Sequence, residues 1–258
     1  MRSLVVYLFV ASIFILIPFS TFADFTEGLV LYLPFDEGAG DAAKDLSGNG
    51  HDGVIDGPDW VDGKFGKALK FNGDGSGTFV TVESTDKLNV NEMTFMAWIN
   101  AEHWDGTRQI VGKSVHGGCA GRTQYGLFSE GGTFRLRFET EGGRADIDAP
   151  EIPAIGEWVH VAFTNDGTTA KIFINGEEVV AGDMLGTLNA NDDPWRIGQD
   201  CERENYIFAG LIDDVRLWNR ALSANEIGEF MGEGASIIAA VELQSKLPTA
   251  WGEIKAQY

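Results

Sequence analysis

Two arginines two residues apart, in the run Phe134-Arg135-Leu136-Arg137-Phe138, open the question of chemistry. Strict apolar/polar alternation predicts a strand with Phe134, Leu136 and Phe138 in an inter-sheet core and both guanidiniums on the opposite face. The chain has 39 Asp+Glu against 19 Lys+Arg, so a same-face pair of arginines is a candidate contact for a polar ligand. Pairing with cross-strand carboxylates is the competing use. A second spacing belongs to oxygen-donor chemistry. Asp45-Leu46-Ser47-Gly48-Asn49-Gly50 places side-chain oxygens at positions one, three and five and a glycine at six, like the first half of a calcium loop, which makes Asp45 and Asn49 candidate ligands. Flanking helices are missing and Asp56 stands at position twelve, so this is no EF-hand, and plain Asx turns are the simpler reading.

Ligand recognition by loops needs aromatic faces for stacking and fixed polar groups beside them. Trp104, in His103-Trp104-Asp105-Gly106, meets that description, as do Arg122 and Tyr125 just after Cys119 and Tyr206 just after Cys201. Trp195 could join them or pack in the core. Trp60, Trp98, Trp158 and Trp218 lie in apolar runs and are expected to pack.

The segment 1–23 has a basic start, the apolar stretch Leu4 to Ile17 and the exit Thr21-Phe22-Ala23. That pattern is expected of a secretory signal peptide, with an uncleaved membrane anchor as the rival. After cleavage no membrane span is expected. In an oxidising compartment Cys119 and Cys201, the two cysteines of the chain, are expected to form a disulfide that holds two Gly-rich loops side by side; free or metal-binding thiols are the alternative. The formal net charge of −20 argues against sequence-independent nucleic-acid binding, which needs clustered Lys and Arg.

The elements that must position these residues are short β runs, from Leu29–Leu33 through Met93–Ile99, Phe134–Phe138 and Trp158–Thr164 to Tyr206–Trp218. Turn chemistry separates them, with Asn175-Gly176 as a strong two-residue hairpin cue. The pattern predicts an all-β, two-sheet antiparallel jelly-roll sandwich forming one main domain. One short C-terminal helix is expected where Ser223 and Glu226 make a capping box and Ile227 and Phe230 one apolar face. The assignment is 1–23 leader, 24–232 domain and 233–258 a C-terminal extension without an evident role.

The motif order resembles the LamG-like jelly-roll domains of the concanavalin A-like lectin/glucanase superfamily, of the type found in many secreted bacterial proteins. The matching pieces include Leu31-Tyr32-Leu33-Pro34-Phe35-Asp36-Glu37-Gly38, Gly66-Lys67-Ala68-Leu69-Lys70-Phe71, Trp158-Val159-His160-Val161-Ala162-Phe163 and Leu211-Ile212-Asp213-Asp214-Val215-Arg216-Leu217-Trp218-Asn219-Arg220-Ala221-Leu222-Ser223. The resemblance implies paired first and last strands, and a structural calcium (Ca2+) for which Asp36 and Asp213 are the carried-over ligands. It does not fix function, because the fold hosts binding modules and hydrolases alike.

Glucanases of this fold carry Glu-x-Asp-x-(x)-Glu on one strand. The nearest segment here, Asp146-Ile147-Asp148-Ala149-Pro150-Glu151, lacks the first Glu and is interrupted by Pro150. Glu139 and Glu141 are expected on the solvated surface. No Gly-x-Ser-x-Gly, His-Glu-x-x-His or phosphate-binding motif occurs, and the histidines at 51, 103, 116 and 160 lack ligand spacing. His160 is expected to be a packed residue. The sequence therefore points to a secreted, non-catalytic module that binds a glycan or an extracellular protein. A hydrolase with a different acid/base pair and a purely structural cell-surface unit are the alternatives.

Overall fold

In the computed structural model, residues 24–73, 77–114, 123–188, 191–200, 206–232 and 234 are described. The leader 1–23, Cys119, Cys201, Arg122, His116 and almost all of the 233–258 extension lie outside them.

Among the described residues the strands in chain order are β1 (Leu29–Leu33), β2 (Ala42–Ala43), β3 (Gly53–Asp56), β4 (Asp59–Asp62), β5 (Lys67–Asn72), β6 (Phe79–Val82), β7 (Met93–Ala101), β8 (Thr107–Ser114), β9 (Thr123–Glu130), β10 (Thr133–Thr140), β11 (Gly143–Asp148), β12 (Val159–Asn165), β13 (Thr169–Ile174), β14 (Glu177–Asp183), β15 (Trp195–Ile197) and β16 (Ala209–Trp218). They form two eight-stranded antiparallel sheets. One runs β14-β13-β12-β7-β16-β5-β4 with β1 also on β16; the other runs β11-β10-β9-β8-β15-β6-β3-β2. This is the expected jelly-roll sandwich. Strand β2, of two residues, is too short to be legible as a separate run, and β3, β4, β11, β14 and β15 were not legible because half or more of their residues are polar or lie beside glycine.

Alternation decides which side chains enter the core. Phe134, Leu136 and Phe138 of β10 are fully buried between the sheets with Phe95, Phe163, Trp195 and Leu217. A second apolar cluster forms on the outward face of the first sheet, where Phe25, Tyr32, Met96, Phe173 and Trp218 are covered by the helix α1 (Ala224–Phe230) through Ile227 and Phe230. The Ser223/Glu226 capping box is present as expected. At the β13–β14 hairpin, Asn175 and Gly176 both take positive φ, 51° and 82°, the backbone that this two-residue turn requires.

Strand β16 is the hinge of the topology. Its first half, Ala209 to Ile212, pairs with β5. Its second half, Val215 to Trp218, pairs with β1 along the same edge. A bulge at Asp214–Val215, just after Asp213, divides the two halves, and Asp214 takes φ +56°, a left-handed backbone that costs energy for any residue but glycine. The first and last strands of the domain are thus paired, as the resemblance implies.

Candidate functional site

Two polar constellations stand out, one on an outward sheet face and one buried at the β16 bulge. The first is built on β10. Register sets Arg135 opposite Asp148 and Arg137 opposite Asp146. Arg135 donates from Nε and Nη2 to the two oxygens of Asp148 at 2.6 and 2.8 Å, a bidentate pair of the strong kind. Its Nη1 reaches Glu130 at 2.8 Å. Arg137 donates from Nε to Asp146 at 2.7 Å and shares Glu130 at 3.3 Å. Arg144 adds a second cation on Asp146, at 2.5 Å. Beneath them Phe128 is buried, with the Arg137 guanidinium 4.8 Å from its ring centre.

The electrostatics of this ladder are those of fixed ion pairs. Partial burial pushes Asp146 up, but hydrogen bonds from Arg144 and Arg137 outweigh it and hold the carboxyl at about 2. The Arg135 hydrogen bond likewise holds Asp148 below the ordinary range. Both carboxylates nearest to the glucanase pattern are therefore poor proton donors, which is the opposite of what a glycosidic acid needs.

The second constellation gathers at the bulge. Asp213 is fully buried, and its Oδ2 accepts from the backbone amides of Lys64 and Phe65 at 2.8 and 3.0 Å. A Cβ on Gly63 would come within 2.6 Å of that oxygen, so the residue must be glycine for the loop to approach. Asp36 accepts from the Lys67 amide at 2.9 Å. Asp214 Oδ1 accepts from Tyr32 Oη at 2.6 Å and from Arg216 at 3.1 Å. Two buried oxygens here, Asp213 Oδ1 and Asp214 Oδ2, have no hydrogen-bond partner among the described residues. Burial, with the charges of Asp214 and Asp36 adding to it, pushes Asp213 up to about 8 against the pull of the two amides. Burial also raises Asp214, opposed by Arg216 and Tyr32.

The other expected site residues lie elsewhere. Trp104, expected in a binding loop, is buried, packs on Phe134 and Phe208, and donates from Nε1 to the Pro153 carbonyl at 2.7 Å. Its flanking polar residues suggested exposure, yet the indole turns inward and pins the 149–156 loop. Tyr125 is likewise in the core, on the opposite face of β9 from Phe128, and accepts a hydrogen bond from Trp195 Nε1. Trp195 is core. Tyr206 is half-buried in the connection between β15 and β16, its carbonyl accepting from the Asp200 amide at 3.0 Å.

The Asp45–Gly50 loop is an Asx-turn staple. Asp45 accepts from the Tyr32 and Ser47 amides at 3.0 and 2.9 Å on one oxygen, and from Ser47 Oγ and the His51 amide at 2.8 and 2.9 Å on the other. Four donors fill the acceptor sites of one carboxylate. Asn49 points its Nδ2 at the Leu29 and Val30 carbonyls, 3.1 and 3.0 Å away. The donor spacing of a calcium loop thus serves instead to tie this loop to β1.

Sequence reasoning missed the pairing of Tyr32 with Asp214, since residues 182 apart in the chain give no local signal. The arginine partners were more accessible: Asp146-x-Asp148 has the same period as Arg135-x-Arg137.

Comparison with known proteins now defines the class. A family model of the concanavalin A-like lectin/glucanases superfamily, the laminin G type 3 family, matches residues 74–228. That is more than half of the chain, and the chain belongs to this family. No curated protein matches it in sequence. Among solved structures it is similar to the binding domain of Paraclostridial Mosquitocidal Protein 1, with 20% identity and TM-score 0.63 over 80% of this chain and 52% of that one. It is similar to the binding domain of botulinum neurotoxin DC, solved in complex with rat synaptotagmin II, with 13% identity and TM-score 0.64 over 81% and 52%. A third is domain 4 of AbnA, a GH43 extracellular arabinanase from Geobacillus stearothermophilus, solved in complex with arabinotriose, with 21% identity and TM-score 0.56 over 78% and 97%. The chain spans about half the length of the two toxin domains and nearly all of the arabinanase domain. At these identities the likeness establishes the fold.

Proposed function

We propose that this chain is a secreted, non-catalytic binding module for carbohydrate, with Arg135 and Arg137 as ligand contacts. The observation that carries the reading is the ladder on the outward face of β10 and β11, where guanidiniums and carboxylates are locked in register over Phe128. Sugar hydroxyls are recognised by donors and acceptors whose positions are set before binding. The fold relative solved with arabinotriose supports the same reading. An extracellular protein is the second candidate ligand, supported by the relative solved with synaptotagmin II. Non-catalysis is supported by the low pKa of Asp146 and by the engagement of Asp148 with Arg135.

Secretion rests on the 1–23 leader pattern. No helix among the described residues is long and apolar enough to cross a membrane. Among those residues no three acidic, histidine or cysteine side chains form a metal-holding group, so a calcium at the bulge would rest on the two carried-over carboxylates, Asp36 and Asp213, with backbone carbonyls or water supplying the other oxygens. The orphaned Oδ1 of Asp213 fits such a role. The cation would neutralise carboxylates that burial otherwise drives towards protonation.

A glycan array that includes arabino-oligosaccharides, followed by assay of reducing-sugar release on the hits, tests the function. Binding without release, weakened in R135A and R137A, is expected. Release would overturn non-catalysis, and an empty array would overturn carbohydrate recognition. Melting with and without chelator tests calcium, and an unchanged midpoint would sink that part.

A further inference from the structure

At the edge where β11 of one sheet meets β13 and β14 of the other lies a cleft of about 380 Å³, lined by Pro150, Glu151, Ile174, Asn175, Glu177 and Val179. Its volume falls in the range of small-ligand sites. The walls are built rather than incidental. On one side the segment after β11 is fixed by the Ala149 amide on the Phe134 carbonyl at 2.8 Å and by Trp104 Nε1 on the Pro153 carbonyl at 2.7 Å. On the other, Asn175 is clamped to β12 twice: its amide donates to the His160 carbonyl at 2.8 Å, and its Oδ1 accepts from the His160 amide at 3.0 Å.

The lining has two chemistries. Ile174 and Val179 are half-buried and pack against the main core, and Pro150 adds a third apolar surface. Glu151 and Glu177 are exposed, and among the described residues neither carboxylate has a hydrogen-bond or ion-pair partner. The lysine of this hairpin, Lys171, is held by Glu178 at 2.8 Å. This differs from the β10 ladder, where every carboxylate already has an arginine.

We infer that the cleft is a receptor for a cationic side chain, the lysine or arginine of a protein partner. The aliphatic stem lies on Ile174, Val179 and Pro150, and the charged head sits between Glu151 and Glu177. A long side chain with an apolar stem and a charged tip is the group whose two parts match these two walls. A formal charge of −20 on the chain favours encounter with a basic partner. The site is separate from the carbohydrate reading, and either can fail alone.

The test is an amide-resolved NMR titration of the full chain at low salt with N-acetyl-lysinamide, beside its uncharged isostere N-acetyl-norleucinamide. Saturable shifts at the Glu151, Asn175 and Glu177 amides are expected with the lysine compound. The double variant E151Q/E177Q should weaken binding about tenfold, the scale of losing two partly exposed charge contacts, with an unchanged melting temperature because neither side chain has a partner in the fold. Absence of saturable shifts, equal response to norleucinamide, or full binding by the double variant would each overturn the inference.

Discussion

Tyr32 in the first strand donates its hydroxyl to Asp214 in the last at 2.6 Å, and the Arg216 guanidinium lies 4.7 Å from the same tyrosine ring. This buried contact joins the two ends of the domain at the bulge where β16 changes partner. Tyr32→Phe keeps the ring and removes the donor. Because a buried carboxylate oxygen then loses its neutral partner, the variant is expected to be less stable by about 1 to 3 kcal/mol in denaturant unfolding. A loss under half a kcal/mol would show that Arg216 alone satisfies Asp214.

Asp45 accepts four hydrogen bonds and ties the 45–51 loop to β1. Asp45→Ala is expected to destabilise by about 2 kcal/mol or more, since several donors are orphaned together. The loss should be the same with and without chelator. A chelator-dependent difference would return this loop to the set of calcium ligands.

Trp104 is a core residue that also clamps Pro153. Trp104→Ala should cost about 3 to 5 kcal/mol by cavity formation. Trp104→Phe keeps most of the packing and loses the 2.7 Å bond to the carbonyl, so a smaller loss of about 1 kcal/mol is expected. Affinity for any ligand of the β10 face should be unchanged in Trp104→Phe. A selective loss of binding at intact stability would make the indole a ligand contact after all.

His160 is 1% exposed, its ring edge-on to Trp98 at 5.3 Å, with Nδ1 unpartnered. Burial, with the nearby charge of Arg216 adding to it, lowers its pKa to about 3 from 6.5. A depressed histidine binds its proton in the unfolded chain before it does in the fold. Its contribution is therefore intact above pH 6.5 and is lost progressively as pH falls towards 3. Between pH 6.5 and 5 the loss is about 2 kcal/mol, at 1.36 kcal/mol per unit. His160→Gln should flatten that part of the stability curve measured by urea unfolding, and an unchanged slope would refute the assignment.

Much of the fold was legible because jelly-roll strands leave local marks. The alternation of Phe134 to Phe138 told inside from outside, Asn175-Gly176 told a hairpin, and Ser223 with Glu226 told a helix start, each within a few residues. The candidate site was legible only in part. Arg135 and Arg137 were recognised as an outward pair, but their partners depend on the register between β10 and β11, which the turn at Glu141-Gly142 sets. Trp104 looked like a loop aromatic because its neighbours are polar, and Tyr125 looked like a ligand contact because it follows Cys119 closely, while the direction of each ring depends on which sheet face covers it.

By itself the sequence determined the class of fold, the parity of each strong strand and the acidic character of the chain, because these follow from residue type and short-range period. Only the tertiary structure decided the rest. It brought Tyr32 to Asp214, split β16 between two partners, filled every acceptor site of Asp45 and left the carboxylates of Glu151 and Glu177 without a partner among the described residues. Those outcomes depend on contacts between segments far apart in the chain, whose energies exist only after the sheets have closed.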